Sequence, residues 1–487
     1  MKFFYKASIV LVLMATVLAG CKDFLAVDPP FTQDAENFFL TEQDYERALV
    51  GAYDLLQGTF LSVWIGEIAS DNTIAGGESV TDTEGLHQID DMTHGGVNNE
   101  LRSIFRWNYA GLTRANYILE NANNIEFTGK DHILAEAKFL RAFYYFELVK
   151  FFGDVPLIID ERLGVEEATQ RERTPADQVY AQIEADLTDA IAVLEPVAAQ
   201  KGRATRGAAQ ALLGKAYLYQ AKWGEAATTF EEVIGSGMYS LIADYNDLFA
   251  AANEGHSETV FDVEYSGLEG GSYGCLICLE GNAGPGFQGI RQYNGPVYGD
   301  GNSYNLPTQN LYDAFDANDP RRDATILDID AFIAAQPNSG DITYAIGAGG
   351  HTGYYNNKYI KRQGEIGLPD NDLTSPVNYR VIRYADVLLM AAEAHYQNGN
   401  AGQAEMYVNE VRTRVGMPNI SLSSVDDIYN ERRLELSCEG HRFFDLVRTG
   451  QAANAITGFT INKNELFPIP QLEIDLAGGN WSQNPGY

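Results

Sequence analysis

The stretch TRGAAQALLGKAYLYQAKWGEAATTFEEVI, residues 205–234, constrains the fold more than any other part of the chain. Leu213, Gly214, Tyr217, Ala226 and Phe230 stand where two antiparallel helices face each other. Small residues at such places let two helix backbones approach, and large side chains fill the gaps beside them. A looser copy runs from Tyr379 to Val415. Ala391, Ala392, Ala404 and Val408 take the corresponding places there, and Gly399-Asn400 makes the turn. One such pair cannot bury its apolar faces alone, so stacked neighbours are required.

The spacing is tetratricopeptide-like, although the tryptophan and terminal proline of that pattern are absent. The helical patterns at 132–152 and 177–194 supply further units, so the helix pairs fall near 132–235 and 379–415. The expected fold is mainly α: a tetratricopeptide-like helical-repeat scaffold with long irregular insertions. Thr41 is the expected N-cap of a helix beginning EQDYERALVGAYDLL, and residues 100–122 return to helical spacing. The helix at 132–152 is apolar on every face and should pack on several sides, with Gly153 and Pro156 stopping it. Residues 57–98, rich in Gly, Asp, Thr and Ser, read as a long loop. The largest insertion, 265–304, holds 11 of the chain's 47 glycines together with six aromatic residues, so its rings are either exposed contacts or small local cores.

The N-terminus carries Lys2 and Lys6, an apolar run over 9–20 and then Leu18-Ala19-Gly20-Cys21. The run is too short to span a bilayer and reads as an export signal over 1–20. The final four residues resemble a bacterial lipobox, which makes Cys21 the lipid attachment site and 21–35 a lipidated tether. Several acyl chains hold a soluble domain at a membrane, where one chain binds only marginally. The alternative is an ordinary signal peptide with a chance cysteine. Residues 36–487 then form a single α-helical domain.

The net charge of −33 repels phosphate backbones and anionic head groups, which excludes nucleic acid as a partner and leaves the lipid as the membrane link. Cys275 and Cys278 are a local disulfide or two inert thiols, with redox and metal roles as alternatives; two further zinc ligands are missing nearby. Glu431, Glu435, Glu439 and Asp445 include carboxylates at helical spacing, the placement an acid/base pair uses. Arg432, Arg433, Arg442 and Arg448 interleave with them, which predicts neutralised ion pairs instead. The same holds for Asp316, Asp319, Arg321 and Arg322, where a calcium site lacks a complete oxygen-ligand pattern. No HExxH, Gly-x-Ser-x-Gly or GK[ST] pattern occurs. The reading is therefore of a non-enzyme without cofactor or metal. Trp107, Trp223 and Trp481 are expected to be structural, and Trp64 core.

Several segments in order resemble the SusD/RagB family of outer-membrane lipoproteins. EAKFLRAFYYFELVKFFGDVPLI (136–158) is similar to its hallmark helix and Gly-Asp-x-Pro exit, and LPTQNLYDAFDANDPRRD (306–323) to its middle signature. VIRYADVLLMAAEAHYQNG, ERRLELSCEGHRFFDLVRTG (431–450), FPIPQLEI and the terminal QNPGY follow in the family's order. The resemblance implies a surface-exposed, outer-membrane, lipid-anchored protein that binds glycans and acts with a TonB-dependent, SusC-like transporter. Capture of peptides or protein fragments is the alternative within the family, and an exported hydrolase is the alternative outside it.

A sugar ring needs an apolar face to stack on and fixed polar groups for its hydroxyls. The resemblance puts the ligand site in two loops, here 71–90 and 265–304. Tyr304, two residues before Leu306-Pro307-Thr308, and Tyr273 take the positions of the family's platform aromatics. Phe287, Tyr293 and Tyr298 share that glycine-rich insertion, and Asp71, Asn72, His87 and Arg291 are candidate hydroxyl partners. The first loop has no tryptophan, a departure from the starch-binding pattern.

Overall fold

The structure is a computed structural model, and it describes residues 38–159, 163, 165–268, 281–365, 367 and 370–487. Cys21 with the signal and tether segments, and Tyr273, Cys275 and Cys278, lie outside the described residues.

The principal elements run α1 (Glu42–Asp54), α2 (Thr59–Ile68), β1 (Thr73–Gly76), α3 (Glu84–Asp90), α4 (Asn99–Glu120), α5 (Lys130–Phe152), α6 (Ala176–Val193), α7 (Arg206–Tyr219) and α8 (Trp223–Gly235). Then come β2 (Thr259–Val263), α9 (Ala283–Gln288), β3 (Ile290–Arg291), β4 (Asp300–Gly301), β5 (Tyr304–Pro307), β6 (Ile326–Asp328), β7 (Tyr354–Asn356) and β8 (Tyr379–Arg383). The last part of the chain holds α10 (Tyr384–Gln397), α11 (Ala401–Arg414), α12 (Val425–Leu436) and α13 (Arg442–Arg448). Among the described residues the strands pair two by two: β1 with β5, β2 with β8, β3 with β4 and β6 with β7. The architecture is mainly helical, as the helix-pair spacing predicts.

α5 is the central beam. It packs against α4 and α6, and its rings are buried on all sides, among them Phe139, Tyr144, Tyr145, Phe151 and Phe152. Gly153 ends it at φ +69°, in the left-handed region that favours glycine. Asn98 caps α4 by accepting from Leu101 N at 3.1 Å, and Thr205 caps α7 by accepting from Ala208 N at 3.1 Å.

The helix pair α7–α8 forms where the sequence places it, and α8 packs on α10, so the two pairs stack. Gly214 sits under the Phe230 ring: a Cβ there would lie 2.5 Å from one ring carbon. Phe230 is fully buried and cannot swing away. Gly214→Ala should therefore cost about 1–3 kcal/mol through overpacking, read as a lower urea midpoint with unchanged m-value.

Residues 57–98 depart from the expected loop, since they contain α2, β1 and α3. Residues 61–70 are buried on every side, so no polar face remains to reveal a period. The strand is four residues long, and the helix after it is polar.

The interleaved charges form buried ion pairs. Arg321 bonds Asp319 at 2.7 Å, Glu431 at 2.6 Å and Glu435 at 3.0 Å. Arg383 bonds Glu258 at 2.7 Å, Glu435 at 2.6 Å and Glu439 at 2.8 Å. Arg432 joins Asp386 at 2.8 Å, and Arg448 joins Glu393 at 2.5 Å and Asp445 at 2.7 Å. Burial alone would raise the Glu435 carboxyl, but Arg414, Arg383 and Arg321 hold it well below the usual range.

Candidate functional site

Two distant segments meet because β1 and β5 pair antiparallel, with Thr73 opposite Pro307, Ile74 opposite Leu306 and Gly76 opposite Tyr304. This pairing brings the 71–90 segment against the end of the 265–304 insertion. Thr308 fastens the junction. Its backbone N–H donates to Asn72 O at 2.9 Å, and its hydroxyl donates to Asp71 O at 3.0 Å. The same hydroxyl accepts from Leu311 N at 3.1 Å and so caps the following helix. Thr73 donates to Asn305 Oδ1 at 2.6 Å, and Asn305 donates to Gln288 Oε1 at 2.8 Å.

The 431–450 segment clamps the root of this loop. Arg442 grips Asp71 with two bonds of 2.7 and 3.0 Å, and Arg433 reaches Asp71 at 3.1 Å and Asn72 Oδ1 at 2.9 Å. Burial opposes the charge on Asp71, but the Arg442 and Arg433 guanidiniums outweigh it and lower its pKa. Asn72 is fully buried and donates to Glu67 Oε2 at 3.1 Å. Glu67 also accepts from Gly440 N at 2.8 Å, and burial pushes its carboxyl up to about 7. Asp71 and Asn72 thus hold the loop in place, and their polar groups are already occupied by protein partners.

The rings form two groups. Trp64, Phe287 and Tyr304 make one cluster, with centroids 5.7–5.9 Å apart and Phe287 within 12° of parallel to Tyr304. Tyr304 is only 4% exposed. Gly77 lies against it so closely that a Cβ there would come within 2.6 Å of the ring. Burial first, and the Asp82 carboxylate beside it second, hold the Tyr304 hydroxyl protonated far above its ordinary value. In this arrangement Tyr304 is packed as a wall of the loop and offers no open ring face. Tyr293 and Tyr298 lie in a second small core with Ile290, Leu306, Leu327, Ile329, Tyr355 and Ile360. Tyr293 donates to Pro296 O at 2.8 Å, and the Tyr298 ring meets Phe332 at 5.1 Å. Of the alternatives for the aromatic insertion, local cores account for these two rings.

Arg291 and Phe287 remain half-buried at this site. Arg291 bonds the exposed Glu78 at 2.8 Å. His87 lies on α3 with a buried Nε2 that has no partner among the described residues. Glu78 and Asp82 contact Arg291 and Tyr304, yet the sequence alone did not single them out. Their only signal is membership of the acidic, glycine-containing stretch 76–84.

Asp90 accepts from Ala75 N at 2.8 Å and so holds β1 from behind. Burial, with a smaller push from Asp91, raises its carboxyl to about 7. The folded state then keeps a proton that an unfolded aspartate releases near pH 3.9, so this group lowers stability as pH rises from about 4 to about 7. Asp90→Asn keeps an acceptor and removes the titration. Its melting temperature at pH 8 should exceed the wild type's by a few degrees, on the order of 1–2 kcal/mol, with little difference at pH 4.5.

Among the described residues no group of three or more His, Cys, Asp or Glu side chains is arranged to hold a metal ion. The molecule is a helical-repeat protein whose candidate site is built by loops and short strand pairs clamped onto the helices.

Comparison with known proteins gives that class its name. Residues 232–487, more than half of the chain, match the profile of the SusD family, and residues 23–218 match one described as "Starch-binding associating with outer membrane". The chain belongs to the SusD family. It is similar to a laminarin-binding SusD-like protein of known structure, with 36% identity and a TM-score of 0.84, over 92% of this chain and 100% of that one. It is also similar to surface glycan-binding protein A from Bacteroides thetaiotaomicron, solved in complex with laminarihexaose. That match has 27% identity and a TM-score of 0.82, over 91% of this chain and 99% of that one. SusD-like protein P2 of Formosa agariphila is 28% identical over 99% of this chain and 100% of its own length.

Proposed function

We propose that this protein is a cell-surface glycan-binding lipoprotein. It captures oligosaccharide and polysaccharide fragments, is anchored to the outer membrane through Cys21, and delivers its ligand to a TonB-dependent, SusC-like transporter. The observation that carries this reading is the near full-length likeness to a laminarin-binding relative and to one solved with laminarihexaose. It makes a laminarin-type glucan the ligand class to test first. The net charge of −33 supports a neutral glycan, because such a surface repels sulfated or uronate-rich chains. Arg291, Phe287, His87 and Tyr273 are the candidate contacts, with Tyr304 as packed support. Binding uses no covalent chemistry and no cofactor.

Calorimetric titration of the protein lacking residues 1–21 with laminarihexaose tests this assignment. Arg291→Ala should weaken binding about tenfold, the loss of one charge-assisted hydrogen bond to a sugar hydroxyl, without lowering the melting temperature by more than a few degrees. Tyr273→Ala should weaken it comparably. Wild-type affinity in both variants would move the site away from these loops.

A further inference from the structure

A second aromatic surface lies outside the loops just described. A cleft of about 430 Å³ opens beside α4, lined by Trp107, Tyr109, Trp481, Arg106, Leu55 and Pro156. That volume lies within the range of small-ligand sites.

Its rings are held in place before any ligand arrives. Tyr109 donates its hydroxyl to Pro156 O at 2.7 Å, and Trp481 donates Nε1 to Arg171 O at 2.6 Å. The buried Phe105 ring lies behind both, 4.7 Å from Tyr109 and 6.2 Å from Trp481. Trp107 is half-buried and carries an indole N–H without an acceptor among the described residues. Arg106 is exposed and likewise unpaired among them. Arg102 with Glu473 at 2.8 Å and Arg114 with Asp54 at 2.9 Å add further planar hydrogen-bonding groups nearby. An acyl chain would meet charges along this cleft. A sugar ring meets fixed apolar faces for its C–H side and free or solvent-facing donors and acceptors for its hydroxyls.

The cleft is also joined to the first site by rings. Trp107 lies 6.1 Å from Phe60, Phe60 lies 5.0 Å from Trp64, and Trp64 lies 5.9 Å from Phe287. Trp64 is 4% exposed, and its Nε1 has no partner among the described residues.

We infer that the Trp107–Tyr109–Trp481 cleft is a second saccharide-binding subsite, which takes a separate stretch of a polysaccharide chain. The inference rests on the glycan-binding function proposed above. Two subsites on one polymer raise its affinity through effective concentration, while a short oligosaccharide held at the loop site gains nothing from the cleft.

The test uses the mature protein with two probes, laminarihexaose and polymeric laminarin, and the variants Trp107→Ala and Arg106→Ala. Expected is a loss of about tenfold in laminarin affinity for Trp107→Ala and about threefold for Arg106→Ala, with laminarihexaose affinity unchanged within about twofold. Arg106 is exposed and unpaired, so Arg106→Ala leaves the fold intact and decides the matter even if Trp107→Ala destabilises α4. Laminarin binding at wild-type strength in both variants, while the wild type binds both probes, overturns the cleft alone. A wild type that binds neither probe overturns the glycan reading and the cleft together.

Discussion

Glu435→Ala should lower the unfolding free energy by about 3–5 kcal/mol, the largest effect expected of any single substitution considered for this chain. Glu435 is fully buried and accepts from Arg321 at 3.0 Å, from Arg383 at 2.6 Å and from Arg414. Glu258, Glu431, Glu439 and Asp319 share those guanidiniums, and Lys358 bonds Glu439 at 2.7 Å. Deleting Glu435 takes one acceptor from each of Arg321, Arg383 and Arg414 where water cannot replace it. The measurement is urea unfolding followed by circular dichroism at pH 7. A loss below about 1 kcal/mol, the size of an exposed pair, would contradict the account of a dry ion cluster. The folded pKa of Glu435 is depressed. Its contribution is therefore fully present above the unfolded value of about 4.3 and is lost as pH falls below it.

Gly66→Ala is the second large effect. Gly66 lies on α2 where the helix backbone touches the turn that precedes α13, and a Cβ there would lie 2.2 Å from Gly440 O. Gly440 cannot yield easily: it sits at φ +90°, and a Cβ on it would lie 2.7 Å from Val63 Cα. The contact joins backbone to backbone, so no rotamer change relieves it. Forcing the two apart also breaks the bond of 2.8 Å from Gly440 N to Glu67, the residue that holds Asn72 at the root of the 71–90 segment. The expected cost is about 2–4 kcal/mol of stability, together with weaker glycan binding. Unchanged stability would mean that α2 and the 440 turn can separate freely. Unchanged binding in a destabilised variant would uncouple this clamp from the site.

The helix pairs were legible because their information is local. Gly214 and Phe230 stand 16 positions apart on adjoining helices, and the demand for a small residue under a large ring is written in that spacing. α2 was illegible for the opposite reason. A segment buried on all sides shows no period, and its polar neighbours made the whole stretch look like a loop.

The candidate site was legible only as two regions. The resemblance pointed to 71–90 and 265–304, and the β1–β5 pairing joins the described parts of both. The state of the individual side chains was hidden. Asp71 looked available for a hydroxyl, but its partner Arg442 stands 371 residues away. Tyr293 and Tyr298 stand in a glycine-rich stretch that allows either exposed contacts or a local core, and the choice is made by Leu327, Ile329, Tyr355 and Ile360, which close over them from further along the chain. Trp107 was expected to be structural. It does pack on Phe60, and its exposed part lines the cleft beside α4.

The most direct test of the account is calorimetric titration of the wild-type protein, lacking residues 1–21, against laminarihexaose, starch oligosaccharides and a peptide mixture. The account predicts saturable heat with a neutral glucan at roughly micromolar affinity, about −8 kcal/mol, and none with peptides. Saturable binding of peptides alone would contradict it and replace the glycan with a peptide ligand.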